Sequence, residues 1–469
     1  MVPVFDPFRF ASVSLDVLAA ARGARAAVTA RQRVRLQEVL ASAMRDSSFY
    51  REHLAGLGPD TPLRDLPTVT RAALMARFDE WVTDSRLHLV ELKAFTADPQ
   101  RLGEPYLGRY VIWESSGTSL QPGVFVQDAA TMAVYDALEA LRRSAPLSLR
   151  RWSDPLYLGE RLAFVGAIGG HFASHVSIER LRQLNPWMRL HFRSHSILQP
   201  VPALVAALNG DAPTVIATYP TVASLLAEEA ERSALTFRPR EIWTGGETLG
   251  LAARRHIERA LHCSVRNSFG ASEFLTMGWE CGHGRMHLNA DWVILEPVDE
   301  HGRAVPAGQL SHSCLLTHLA NTVQPLIRYE LGDQIAVFDE PCACGSAMPV
   351  IEVQGRRDEP LVLTAPGGRR VTLLPMALTT VIEEQAGVYD FQVRQTGPLT
   401  LAMRLPGDNG EARAAMVRCR NTMQAFAVAR GIRGLNVVEE LGQPLQRGRS
   451  GKITRVLATP PPSRHQIHP

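Results

Sequence analysis

Residues 115–122 read Ser-Ser-Gly-Thr-Ser-Leu-Gln-Pro, a run in which Ser115, Ser116, Thr118 and Ser119 surround Gly117. Hydroxyls of this kind donate to phosphate oxygens, and a glycine lets the backbone approach an anion closely. Read as lying between a strand over 110–113 and a helix over 129–143, the loop also gains a helix dipole that favours negative charge. An ordinary Ser/Gly turn uses the same residues, so the loop alone leaves both readings open. It is not a Walker loop, since no Gly-Lys-Ser/Thr follows at the required spacing. A second group able to do chemistry is Cys281-Gly-His-Gly-Arg-Met-His287, followed by Cys342-Ala-Cys344-Gly. Three thiols and one imidazole complete a tetrahedral set for structural zinc. The spacing favours His287 over His283, and a pair of reduced, metal-free loops is the alternative.

These residues need elements to hold them. A chain of 469 residues exceeds what one core organises and implies two or three domains. Apolar residues make up 45% and charged residues 21%, an ordinary globular balance, and the net charge of +3 argues against nucleic acid or an anionic membrane as partner. That charge also speaks against a zinc ribbon on nucleic acid. No apolar run nears the roughly 18 residues of a membrane span. Residues 1–30 lack a basic segment followed by a clean apolar one, so no signal peptide is read and a cytoplasmic location is expected. There a disulfide between the cysteines is disfavoured. Cys263, Cys314 and Cys419 stand alone and read as small buried hydrophobes.

Helical spacing runs over 14–55, breaks at 59–67 and resumes over 69–81, where Thr70 can cap the helix. Short apolar runs at 162–168, 214–217 and 241–244 then alternate with helical stretches at 177–184, 201–208 and 222–230, which predicts a largely parallel sheet. From about 292 the pattern becomes short strands, at 293–297, 309–316 and 334–338, and predicts an antiparallel, barrel-like layer. Residues 360–456 mix strands and helices. The fold class is therefore α/β, with a large N-terminal domain over 1–357 and a small α+β domain over 358–459. Residues 460–469 are expected to form a disordered tail.

Five further segments stand in a telling order: Trp243-Thr-Gly-Gly-Glu247, Asn267-Ser-Phe-Gly-Ala-Ser-Glu273, Gln324-Pro-Leu-Ile-Arg-Tyr-Glu-Leu-Gly-Asp333, Gly355-Arg-Arg-Asp358 and Gly448-Arg-Ser-Gly-Lys-Ile-Thr-Arg455. With the 115–122 loop they resemble, over nearly the whole chain, the phenylacetate–CoA ligase family of adenylate-forming enzymes. The Pro-x-x-Arg-Tyr-x-x-Gly-Asp segment is the most specific of them. One departure is Leu120, where the family's loop has its second glycine. The resemblance implies that Ser115, Ser116, Gly117, Thr118, Ser119, Gly246, Glu247 and Gly270 line the nucleotide site. It implies that Phe269 stacks on adenine, Ser272 faces the α-phosphate, Glu273 holds Mg²⁺ and Asp333 accepts both ribose hydroxyls. A solvated surface carboxylate is the other reading of Glu273. Arg356 is assigned to the ribose and phosphate; Arg328 joins the same set, with a structural place as its alternative. Asp358 becomes the pivot of a mobile C-terminal domain that carries Lys452 into the site. Tyr219 and Trp243 are nominated as walls of the acid pocket.

The reaction implied by the resemblance joins a carboxylate to the α-phosphate of Mg·ATP, releases pyrophosphate, and passes the acyl group to coenzyme A. The acid in that family is often aromatic, some relatives carry metal at the Cys/His segments, and dimers are common. Three alternatives remain: a carrier protein or an amine as acceptor in natural-product biosynthesis, another oxyacid such as nitrite, and a degenerate nucleotide-binding protein.

Overall fold

Asp6 and Pro7 begin the first helix, Pro7–Arg22, with the Asp6 carboxylate accepting from Arg9 N at 2.9 Å. The computed structural model describes residues 4–58, 60–115, 122–142, 159–354, 361–364, 368–388, 390–446 and 455–457. Helices Arg25–Asp46 and Ser48–His53 follow, then Arg71–Ala76, whose cap is Thr70 accepting from Ala73 N. This helical start is held to residues 325–327 by long-range bonds. Trp81 Nε1 and Tyr50 Oη both donate to the Pro325 carbonyl, at 2.6 and 3.2 Å.

Strands β1 (Val111–Glu114) and β2 (Val124–Gln127) form an antiparallel pair ahead of the helix Ala129–Arg142. A nine-stranded sheet comes next. Strands β3 (Leu162–Gly166), β4 (Phe192–Ser196), β5 (Val215–Thr218), β6 (Glu241–Thr244) and β7 (Ser264–Phe269) are mutually parallel, in the order β4-β3-β5-β6-β7. Their crossover helices Pro220–Glu231 and Leu251–Leu261 bury apolar residues such as Val222, Leu226 and Ile257. Beyond β7 the sheet turns antiparallel through β8 (Gly278–Glu280) and β9 (Met286–Leu288).

Strands β10 (Val293–Val298), β11 (Ser313–His318) and β12 (Tyr329–Glu330) make the separate antiparallel layer expected from the sequence. The 334–338 run does not belong to it. Strand β13 (Gln334–Phe338) pairs with β14 (Val350–Gln354), and β14 pairs with β9 through Val350↔His287, so both extend the nine-stranded sheet. The cause is an open edge on β9, whose backbone groups need a partner.

The small C-terminal unit holds the hairpin β15 (Leu361–Thr364) and β16 (Arg370–Leu373), the helix Pro375–Val381, and strands β17 (Gln392–Gly397), β18 (Thr400–Leu405), β19 (Asn436–Leu441) and β20 (Val456–Leu457). The order β19-β18-β17-β20 is covered by the helix Gly410–Ala429. Phe391, Met403 and Met423 of this unit belong to one buried cluster with Ile216, Val222 and Ile242 of the parallel-sheet region. Among the described residues no helix is long and apolar enough to cross a membrane.

His318, fully buried at the end of β11, organises the turn that follows. Its Nδ1 accepts from Ala320 N at 3.1 Å and Asn321 N at 3.3 Å, and its Nε2 meets Tyr135 Oη at 2.8 Å. The backbone donors fix the tautomer, so Nε2 carries the proton and donates to the phenol oxygen. Burial pushes the imidazole down to about 3. Because an unfolded histidine titrates near 6.5, His318 adds stability that is complete above that pH and is lost as the pH falls toward 3. Urea midpoints should drop below pH 6.5. In His318→Gln the slope should be shallower by about 1.4 kcal/mol per pH unit, although the variant is less stable throughout.

Candidate active site

Ser115 closes the base of the 115–123 loop. Its N–H donates to the Gly123 carbonyl and its Oγ accepts from Gly123 N, both at 2.8 Å. The loop therefore springs from a β-hairpin, and the helix Ala129–Arg142 begins only after β2. This corrects the expectation of a strand-to-helix loop with a helix dipole behind it. Val124–Gln127 is buried at every position, and so short an apolar run carries no period to distinguish it. Ser116, Gly117, Thr118, Ser119 and Leu120 lie outside the described residues, as do Arg356, Asp358, Lys452 and the tail 460–469.

A cavity of about 980 Å³ opens at the C-terminal ends of the parallel strands, where ligands of open α/β sheets bind. Ser115, Tyr219, Trp243, Gly246, Glu247, Phe269, Gly270, Ser272, Glu273 and Asp333, ten residues singled out from the sequence, all line it. Two glycines shape part of that wall. Gly246 has φ +78°, and a Cβ there would meet the Tyr219 ring at 3.2 Å, so both its conformation and its lack of a side chain are used. A Cβ on Gly270 would stand 2.0 Å from the Leu275 carbonyl oxygen. Glu247 accepts from Thr221 N and Oγ1, at 3.0 and 3.1 Å, which locks the 244–247 turn to the start of the helix Pro220–Glu231. Trp243 Nε1 donates to Glu241 at 2.7 Å. Burial pushes the Tyr219 phenol up to about 12, so it is neutral at physiological pH.

Glu273 is buried, and both hydrogen bonds it makes among the described residues fall on Oε1. Arg71 Nη2 donates at 2.9 Å and Tyr329 Oη at 2.7 Å; Arg71 Nε also donates to Tyr329 Oη at 3.1 Å. Although burial opposes the charge on Arg71, Glu273 and Tyr329 hold its guanidinium more firmly protonated than in water. Burial, followed by the charge of Glu273, raises the Tyr329 phenol well above its ordinary value. Glu273 Oε2 takes no hydrogen bond among the described residues, and a carboxylate oxygen of this kind suits a hard cation. Arg71 is delivered by a backbone bridge, in which Val69 N donates to the Arg328 carbonyl and Glu330 N to that of Val69. Sequence reasoning passed over Arg71 and Tyr329. Tyr329 lay inside the most specific motif, whereas Arg71 offered only its place behind the Thr70 cap.

Arg328 points elsewhere. It has φ +48°, its Nε donates to Glu296 at 3.1 Å, and its Nη1 donates to the Arg64 and Leu66 carbonyls. It does not line the cavity among the described residues. These bonds tie the helical start to β10.

Cys281, His287, Cys342 and Cys344 come together with their ligand atoms within 4.8 Å of one another. Cys281 Sγ and Cys342 Sγ are 3.8 Å apart, and Cys344 Sγ is 3.3 Å from His287 Nε2. His287 Nδ1 lies 2.9 Å from the Met348 carbonyl, which fixes the tautomer and turns Nε2 toward the sulfurs. Two positive-φ glycines shape the turns, with Gly284 N donating to the Cys281 carbonyl and Gly345 N to that of Cys342. His283 is not in the group. The donor set, with His287 oriented by the Met348 carbonyl, fits a tetrahedral metal ion.

In its fold the chain is similar to solved adenylate-forming CoA ligases. Two structures of a 2-hydroxyisobutyryl-CoA ligase carry that comparison. One, in complex with 2-HIB-AMP and CoA in the thioesterification state, superposes with a TM-score of 0.58 at 19% identity over 94% of this chain and 91% of that one. The other, in the postadenylation state with R3-HIB-AMP, gives 0.56 at 19% identity over the same shares of each chain. In sequence, Protein CapK of Staphylococcus aureus is 28% identical over 138 residues, a match spanning 29% of this chain and 29% of that protein. No family model matches the chain.

Because Gly270 has no room for a side chain, Gly270→Ala must displace the 270–275 turn that carries Ser272 and Glu273. The expected cost is about 1–3 kcal/mol, read as a lower urea midpoint at unchanged m-value.

Proposed function

We propose that this chain is a ligase of the phenylacetate–CoA ligase type, which activates a carboxylic acid as its acyl-adenylate and transfers the acyl group to coenzyme A. One observation carries the proposal: Ser115, Gly246, Phe269, Ser272, Glu273 and Asp333, drawn from four separate segments, line a single cavity at the strand ends. In this reading Phe269 stacks on adenine, Asp333 accepts the ribose hydroxyls, and the hydroxyls of 115–119 bind phosphate. Glu273 would hold Mg²⁺ through Oε2, and the ion would offset phosphate charge when bound. Oriented by these contacts, the acid's carboxylate attacks the α-phosphate in line and pyrophosphate leaves. Lys452 compensates the charge that develops on the carboxylate and α-phosphate. Rotation about Asp358 then withdraws it and admits the thiol of coenzyme A, which displaces AMP from the acyl-adenylate. Tyr219 and Trp243 place aromatic faces on the cavity wall, where the apolar part of the acid would lie. The Cys/His cluster takes structural zinc and pins the 281–287 loop to the 342–344 turn.

Purified protein should exchange labelled pyrophosphate into ATP in the presence of its acid and release AMP only when coenzyme A is added. Absence of exchange with every acid of a broad panel, together with absence of ATP binding, would overturn the enzyme reading. Lys452→Ala should lower adenylation about 10²–10³-fold and spare thioester formation from supplied acyl-adenylate; equal loss in both half-reactions contradicts its role. Elemental analysis of protein prepared without chelators should find about one zinc per chain, lost in Cys342→Ser. Metal-free wild-type protein would retire the zinc assignment.

A further inference from the structure

The cavity does not end at the aromatic wall. From Trp243 it continues between one face of the parallel sheet and the helix Ala173–Leu184 that covers it. Register places Trp243, Ala217 and Phe164 side by side on β6, β5 and β3, and one step toward the strand starts it sets Leu162 beside Phe192. All five line the cavity, and Ile178, Leu181 and Met188 line it from the helical side. Cavity-lining residues on the strand side run from Leu162 to Ala167, about 16 Å at strand rise. Those on the helix run from Ala173 to Leu184, about 16 Å at helical rise. Two elements thus give one chamber length independently. Gly166 helps to keep it open, because the Phe164 ring lies flat along the strand where a Cβ on Gly166 would stand.

The chamber's lining is mostly apolar, with Ser177, Asn185 and Glu160, the last paired with Arg240, as polar exceptions. Leu162, Phe164, Phe192 and Val215 form a buried apolar cluster with Ile178, Leu181, Met188, Ala217 and Trp243 packed on it. Asp136, which lines the cavity, is paired with Arg180 at 2.7 Å, and the Trp243 N–H is committed to Glu241. Among the described residues Arg71, at the opposite end beside Glu273, is the only lysine or arginine on the cavity wall. A second carboxylate or a phosphate on the far end of a substrate would find no partner there.

We infer that the acid taken by this site has an extended apolar body, longer than a single ring, lying along β3 beneath the helix Ala173–Leu184. The inference rests on the adenylation reading and gives its substrate class. Pyrophosphate exchange is measured with benzoate, phenylacetate and the straight-chain acids from butanoate to hexadecanoate. In the wild type, kcat/KM should climb about two- to fourfold per methylene until the chamber is filled, and should pass the one-ring acids. Ser177 and Leu181 line the chamber about 6 and 12 Å along the helix from Ala173. Ser177→Phe should therefore cut the longest accepted acid back further than Leu181→Phe does. A wild-type profile that is flat with length or favours benzoate overturns the inference and leaves adenylation standing. So does a loss in both variants by one common factor for all acids. Exchange with no acid at all removes the adenylation reading, and this inference with it.

Discussion

Three stretches of chain far apart in sequence meet at one carboxylate oxygen. Glu273 Oε1 receives Arg71 from the helical start and Tyr329 from β12, while Glu273 itself stands just past β7 of the large sheet. A buried carboxylate without these donors would cost several kcal/mol, and so would Arg71 left without its acceptor. Each segment therefore requires the other two in place. Neighbouring ties tighten the same junction: Val69 bridges to β12, Arg328 reaches back to the Arg64 and Leu66 carbonyls, and Trp113 Nε1 donates to the Ser272 carbonyl at 2.8 Å. The helical start thus serves as one wall of the cavity.

Around that junction the cavity wall is made partly from turns whose shapes are set by close approach. Gly246 fits under the Tyr219 ring, Gly270 against the Leu275 carbonyl, and Glu247 staples its own turn to the next helix. Such contacts leave few alternative conformations for the backbone, which suits a site that must orient several groups at once. The same economy of side chains leaves the chamber beyond Trp243 mostly to apolar residues.

The sequence was most legible where local pattern and final pairing coincide. Runs at 241–244 and 334–338 became β6 and β13 with unchanged bounds, and Thr70 capped the helix it was expected to cap. The membership of β13 was not legible, because it depends on the free edge of β9, more than forty residues away in sequence. Strand β2 was hidden by its uniform burial. For the site, residues inside recurring motifs were readable as a set, and ten of them line one cavity. Arg71 was not, since a single arginine after a cap has many possible uses and its partners Glu273 and Tyr329 lie 202 and 258 residues downstream. The direction of Arg328, toward Glu296, was not legible either, because that partner lies on another strand.

The Cys/His cluster has a topological consequence. Its first pair of residues ends at His287 and its second begins at Cys342, and the whole of β10, β11, β12 and β13 is strung between them. A bond across the cluster would make that stretch of chain a closed circuit with both ends soldered to the sheet. The loop-closure entropy of the excursion would then be settled by four side chains rather than by the packing of the strands. Tyr329 and Asp333 lie within this circuit. Their register against Glu273 would survive local loosening of the strands, because the excursion could breathe without losing its place along the chain.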